Sequence, residues 1–208
     1  MTNSTVITIG RQYGSGGRQI GKTLAKELGI GYYDKELLER ASKESGLCKE
    51  LFQNYDEKPT NSFLYSLVMD TYSFGYSSAS FTDMPINHKV FLAQFDTIRK
   101  IANEGPCVIV GRCADYALAE YKNCLSVFIH ADSDYRVRKI AKLYELTNAK
   151  AKEKIHKIDK QRSTYYNYYT NKKWGEASEF DLCLDSGVLG IDGCVEIIKL
   201  GIDIKGRK

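Results

Sequence analysis

The segment Val6-Ile-Thr-Ile-Gly-Arg-Gln-Tyr-Gly-Ser-Gly-Gly-Arg-Gln-Ile20 narrows the choice of fold more than any other stretch of the chain. A short β-branched run breaks into a glycine-rich turn. Ile20, Leu24 and Leu28 then recur every four residues with Ala25 beside them, the spacing of an amphipathic helix. Strand, glycine turn and helix in that order form a cradle for phosphate. Glycines at 10, 14, 16 and 17 allow left-handed backbone and close approach to a ligand, while the N–H groups at the helix start favour negative charge. Arg11 and Arg18 bracket the turn and add guanidinium donors suited to phosphate oxygens.

The pattern G-x-x-x-x-G-K-[ST] also occurs literally, as Gly16-Gly-Arg-Gln-Ile-Gly-Lys-Thr23, which leaves two registers for the loop. In the later one Lys22 is the phosphate lysine, but the loop then consumes a helical turn and stands clear of the strand it should follow. In the earlier one the helix begins at about Gly17 or Arg18, and Gly16 is the last loop glycine. Gly17 then stands where a lysine is customary, Gln19 where a magnesium-binding hydroxyl is customary, and Lys22 faces solvent. The earlier register keeps the glycines next to the strand and yields a phosphate loop without its lysine.

A chain of 208 residues buries a core without disulfides. The six cysteines form no C-x-x-C pair, no histidine stands at zinc-finger spacing from them, and several lie in apolar runs where a thiol packs as a small hydrophobe. No metal ligands are expected from them, and a reducing cytoplasm is the expected compartment. The N-terminal residues lack a signal-peptide pattern and no apolar run has the length of a membrane span, so no membrane partner is expected. A net charge of +4, from 30 basic and 26 acidic residues, is too small to imply nucleic acid but suits anionic small molecules.

Further strands are expected at Gly31 to Asp34, Cys107 to Gly111 and Leu125 to Ile129, and helices at Lys35 to Ser45 and His88 to Asn103. Ala131 to Asp134 reads as a helix cap. Strands alternating with helices predict a doubly wound parallel sheet, with ligands bound beyond the strand carboxyl ends, where the glycine loop and Gly111-Arg112 both emerge. From about Leu47 to Pro85 the organisation loosens: Phe63 to Met69 suggests a helix and Ser73 to Ser80 a loop. This aromatic segment suits a subunit interface, and hence a homo-oligomer, as readily as a base pocket.

Tyr135 to Tyr169 is strongly basic and helical. Its lysines read as a solvated face as readily as a functional one. Arg162, followed by Tyr165-Tyr166-Asn167-Tyr168-Tyr169, is the best candidate to swing in from a lid, and the tyrosines suit water exclusion, base stacking or a packed hinge.

The chain resembles the cytidylate-kinase-like proteins of the P-loop nucleoside-monophosphate kinase group. The resemblance rests on Ile7-Thr-Ile-Gly-Arg-Gln-Tyr-Gly-Ser-Gly-Gly-Arg18, Tyr32-Tyr-Asp-Lys-Glu-Leu-Leu38, Val108-Ile-Val-Gly-Arg112, Asp159-Lys-Gln-Arg162 with Tyr165-Tyr166, and Phe180-Asp-Leu-Cys-Leu-Asp-Ser186. It implies a three-layer α/β/α P-loop fold in a single domain over 1–208, with a helical acceptor-binding insertion at 47–84 and a helical lid at 135–170. It implies ATP and Mg2+, with phosphoryl transfer to a nucleoside monophosphate or similar small phosphate acceptor. Carried across, Gly14, Ser15, Gly16, Gly17, Arg18 and Gln19 with Arg11 hold the donor phosphates. Asp34, Arg112, Asp159 and Arg162 face the acceptor, and Arg18, Arg136 and Arg162 supply charge to the transferring group. Asp185-Ser186 marks where a closing strand runs into a last helix, Ile191 to Leu200.

The chain departs from that family at Gly17-Arg18-Gln19, where the lysine and threonine are missing, and between Leu47 and Met84, where the base should be read. Arg18 substitutes for the lysine only in part, because a planar fork is not a point charge. The second expectation is therefore a nucleotide-binding sensor with little or no transfer.

Overall fold

The computed structural model describes residues 5–56 and 84–206. The β-branched run becomes β1 (Val6–Arg11) at the centre of a sheet completed by β2 (Gly31–Tyr33), β3 (Cys107–Val110), β4 (Cys124–His130) and β5 (Leu182–Asp185). All the pairings are parallel and the order is β2-β3-β1-β4-β5. Ile7 lies in register with Val108 on one side and Leu125 on the other. Both faces are covered, so inward and outward positions alike must be apolar, as Cys107-Val-Ile-Val110 illustrates.

The alternation of β1 assigns its residues to the two faces. Ile7 and Ile9 pack with Val108, Val110, Val127 and Ile129 against α1 (Gly17–Leu28) and the last helix, α8 (Ser186–Lys205). Val6, Cys107 and Ile109 pack on the opposite face, against α2 (Lys35–Ser45), α4 (Ile86–Glu104) and the short α5 (Ala114–Ala117). The result is the expected three-layer parallel α/β architecture. α3 (Lys49–Tyr55), which the sequence reading did not anticipate, packs Phe52 into a side cluster with Leu38, Ala41 and Val90. The helix expected at Phe63 to Met69 and the loop expected at Ser73 to Ser80 lie outside the described residues.

The basic region resolves into two helices, α6 (Ser133–Tyr144) and α7 (Asn148–Thr170). Glu145, in the left-handed region at φ 54°, ends the first, and Thr147 starts the second by accepting from the Lys150 N–H at 3.4 Å. Asp132 caps α6 through the Tyr135 N–H at 2.9 Å, as the cap expected there requires. The tyrosines of α7 are core. Tyr169 stacks on Phe91 with centroids 4.0 Å apart, and the Tyr165 hydroxyl bonds Gln94 at 3.1 Å. Of the three expectations for this cluster, the packed one describes what is seen.

In α8 the backbone breaks at Gly190 (φ 69°), so a turn following Ser186 precedes the helix proper, which begins near the expected Ile191. The six cysteines are free, and burial pushes the Cys107 and Cys124 thiols up to about 12, consistent with packing rather than reactivity. No helix of the described residues is long and apolar enough to cross a membrane.

Candidate functional site

The carboxyl end of β1 runs into the glycine turn at the sheet's centre. Gly14 (φ 84°) and Gly16 (φ 86°) both adopt left-handed backbone, and α1 begins at Gly17. Ile20, Gly21, Lys22 and Thr23 therefore lie inside a helix, as the earlier register requires. Lys22 is exposed on the rim of the cleft described below.

The loop's carbonyl groups are turned inward and occupied. Gln12 O accepts the Ser15 hydroxyl at 2.8 Å and its N–H at 3.3 Å, and Gly16 O accepts Ile20 N–H at 3.0 Å. The Ser186 hydroxyl lies within bonding distance of Ser15 O and His130 O, which ties β5 and α8 to the loop. No side chain among the described residues caps α1, and no acidic residue occupies its first turn. Its free N–H groups thus leave a partial positive charge at the loop mouth.

The helical hairpin of α6 and α7 closes over this loop through Asp159. One carboxylate oxygen accepts the Tyr13 N–H at 2.7 Å, and the other pairs with Arg136, whose guanidinium also reaches Tyr13 O at 3.4 Å. Arg162 donates to Arg11 O at 3.2 Å and lies 5.6 Å from the Tyr13 ring centroid. The Arg136–Asp159 pair is mostly buried, and the Arg136 Nε has no hydrogen-bond partner among the described residues. Asp159→Asn keeps an acceptor for Tyr13 but removes the counter-charge. It should cost about 1.5–3 kcal/mol, the range for hydrogen bonds to charged groups, and lower the melting temperature by about 3–12 °C for a chain of this size. An unchanged melting curve would show that this clasp contributes nothing.

Of the residues expected to face an acceptor, Asp34 and Arg112 meet at the other end, whereas Asp159 and Arg162 lie at the loop. Arg112 leaves β3 at a left-handed position (φ 54°) and is almost wholly buried. It donates to Asp34 O at 2.9 Å and makes a bidentate pair with Asp56, both contacts 3.0 Å. Asp34 in turn holds Arg18, whose Nε is 2.6 Å from its carboxylate, and that carboxylate raises the Arg18 pKa. Arg18 and Asp34, which the resemblance assigns to donor and acceptor, are thus joined in one ion pair.

A cleft of about 790 Å³ is lined by Arg11 to Gly14, Gly16 to Gln19, Asp34, Asp56, Arg112 and Arg162. Volume and polarity fit a nucleotide-sized ligand. Three predicted site residues stand outside the cleft: Ser15 is buried beneath the loop, and Arg136 and Asp159, locked together, line a separate hollow on the hairpin. Three lining or neighbouring residues escaped the sequence reading. Asp56 lies in the segment that showed no pattern. Lys139 brings its ammonium to the loop at Gly16, and its signal was the i, i+3 spacing from Arg136 on one helix. Asp115 is a half-buried acid bonded to the Tyr166 hydroxyl at 2.7 Å, with desolvation pushing its carboxyl up.

These residues fit a bound polyphosphate. An added Cβ at Gly16 would lie 2.7 Å from Ile191 and 2.8 Å from the Lys139 ammonium, so the hollow exists only because that residue is glycine. Gln19, exposed on the cleft wall, carries a side-chain oxygen that could serve a magnesium ion arriving with a nucleotide.

The sequence matches the cytidylate kinase-like family over residues 6–188. No curated protein matches it. Among solved structures it is similar to an uncharacterized protein from Eubacterium ventriosum ATCC 27560, with 29% identity, TM-score 0.71, and 96% of this chain and 98% of that one covered. Shikimate kinase from Bacteroides thetaiotaomicron shares the fold, at 13% identity and TM-score 0.54 over 96% of this chain and 98% of that one. TT1252 from Thermus thermophilus does so too, at 13% identity and TM-score 0.50 with the same shares covered.

Proposed function

Since this chain belongs to the cytidylate kinase-like family, we propose that it is an ATP-dependent phosphotransferase whose acceptor is a nucleoside monophosphate or a similar small phosphate. The observation that supports this best is one continuous cleft running from the glycine loop to the Arg112 and Asp34 wall, with cations arriving from several separate elements. Gly14 to Gln19 and Arg11 hold the donor phosphates, Asp34, Arg112 and Arg162 orient the acceptor, and Asp159 holds the hairpin on the loop. An acceptor phosphate oxygen bonds to the γ-phosphorus as the bond from that phosphorus to ADP breaks. The attacking oxygen is already anionic, so the protein supplies no base; its task is alignment and charge neutralisation. Arg18 and Arg162, which line the cleft, provide that charge, each worth about 10²–10³ in turnover if it meets the transferring oxygens, while Arg136 acts through its pair with Asp159. Magnesium, when bound with the nucleotide, neutralises charge on the same phosphates. The hairpin acts as the lid that excludes water.

The crowding at Gly17 favours the second reading, a nucleotide sensor, because a loop lysine has no room there. Measuring ADP release with ATP, magnesium and a panel of CMP, dCMP, UMP and AMP separates the two. Acceptor-dependent release of at least tenfold over the ATP-only rate is expected. ATP binding by calorimetry without such release would overturn the transferase reading in favour of the sensor.

A further inference from the structure

We propose that Lys139 of α6 supplies, from the opposite wall of the cleft, the phosphate-binding ammonium that the glycine loop lacks; this rests on the nucleotide-binding reading above. The loop itself excludes a lysine. A Cβ on Gly17 would stand 2.6 Å from the Arg11 Cβ and 3.3 Å from the Ile129 Cβ, atoms fixed close to the backbone of two strands.

The facing helix takes up the vacant role because the loop's glycines let it approach. A Cβ on Gly14 would meet Ile140 at 3.1 Å and the Arg136 side chain at 3.2 Å, so one turn of α6 lies directly on the loop. Lys139 sits within that turn, and its Nζ lies 2.8 Å from where a Gly16 Cβ would stand. The same ammonium lines the cleft.

Charge pairing separates Lys139 from the arginines beside it. Arg18 is held by Asp34 and Arg136 by Asp159, whereas no carboxylate among the described residues lies within ion-pair distance of Lys139. Its ammonium lies beside the Tyr135 ring, with 5.6 Å from Nζ to the centroid. An ammonium with three donors on a flexible stem can span two phosphates at once and leaves no carboxylate behind when it does so. Lys142, one turn on and exposed, does not line the cleft and serves as the control.

Calorimetric titration of the full chain with magnesium-ATP, and separately with sodium tripolyphosphate, tests this on wild type, Lys139→Met, Lys139→Arg and Lys142→Met. Lys139→Met should weaken both probes at least tenfold with an unchanged melting temperature. Lys139→Arg should recover part of the affinity, and Lys142→Met should bind as wild type does. Affinity in Lys139→Met within twofold of wild type overturns the proposal, as does an equal loss in Lys142→Met or no recovery in Lys139→Arg. Wild type that binds neither probe refutes the nucleotide-binding reading and this inference with it; wild-type binding with undiminished Lys139→Met binding refutes this inference alone.

Discussion

Gly17→Lys, which writes the customary lysine back into the loop, is expected to destabilise the protein by about 3 kcal/mol or more, combining overpacking with a charge that must leave a crowded site. ATP affinity should fall with it. The reason is spatial, since Gly17 is the first residue of α1 and has ordinary helical backbone. Its Cα faces Arg11 of β1, and a Cβ there would be 2.6 Å from the Arg11 Cβ and 3.2 Å from its Cγ. Neither contact is relieved by rotating a distant side-chain end, so the strand and helix would have to part. Gly17→Ala isolates the packing component and should cost about 1–3 kcal/mol. Thermal unfolding of both variants measures this directly. A Gly17→Lys protein that melts with wild type and binds ATP more tightly would show that the loop can take its lysine and that Lys139 is superfluous.

The part of this site that could be read from the sequence is the part built from neighbours in the chain. β1, the glycine turn and α1 are successive, so periodicity and glycine spacing set their order and favoured the earlier of two registers, the one in which α1 begins at Gly17. Strands β3 and β4 were legible because a strand buried on both faces must be apolar throughout. Charge pairing across the fold was not legible. Arg112 and Asp56 lie far apart in sequence, and nothing at either position announces the other. Lys139 was one of many lysines on a basic helix, and most of those are solvated; only the contact of α6 with Gly14 and Gly16 separates it from them. The tyrosines of α7 looked equally suited to a lid or a core, since aromatic composition does not tell which face a helix turns inward. Tyr166 was resolved by Asp115, a half-buried acid whose hydroxyl partner sits on another element.

Arg112→Met should be the most damaging single substitution on this wall of the cleft, costing about 3–5 kcal/mol because it removes the bidentate partner of Asp56 and leaves the buried Asp34 with Arg18 alone. The Arg112 side chain is only 3% exposed and that of Asp34 only 7%, so solvent screens their interaction little. Gly111, Arg112 and Cys113 all have positive φ (80°, 54° and 55°), which is strained for the latter two. Such strain persists where surrounding contacts overdetermine it, and here the guanidinium is fixed by Val110 O at 3.3 Å, Asp34 O at 2.9 Å and the two Asp56 oxygens at 3.0 Å. Arg112→Lys keeps the charge but loses the fork, so its stability should fall between the two. The same geometry opposes function. If Arg112 is to meet an acceptor phosphate as proposed, that phosphate must compete with Asp56 for the same pair of N–H groups. Asp56→Asn should therefore tighten acceptor binding while lowering the melting temperature, a trade of stability against function. Calorimetry with the acceptor found in the ADP-release panel, paired with melting curves, reads both effects. Unchanged acceptor affinity in Asp56→Asn would place the acceptor away from Arg112.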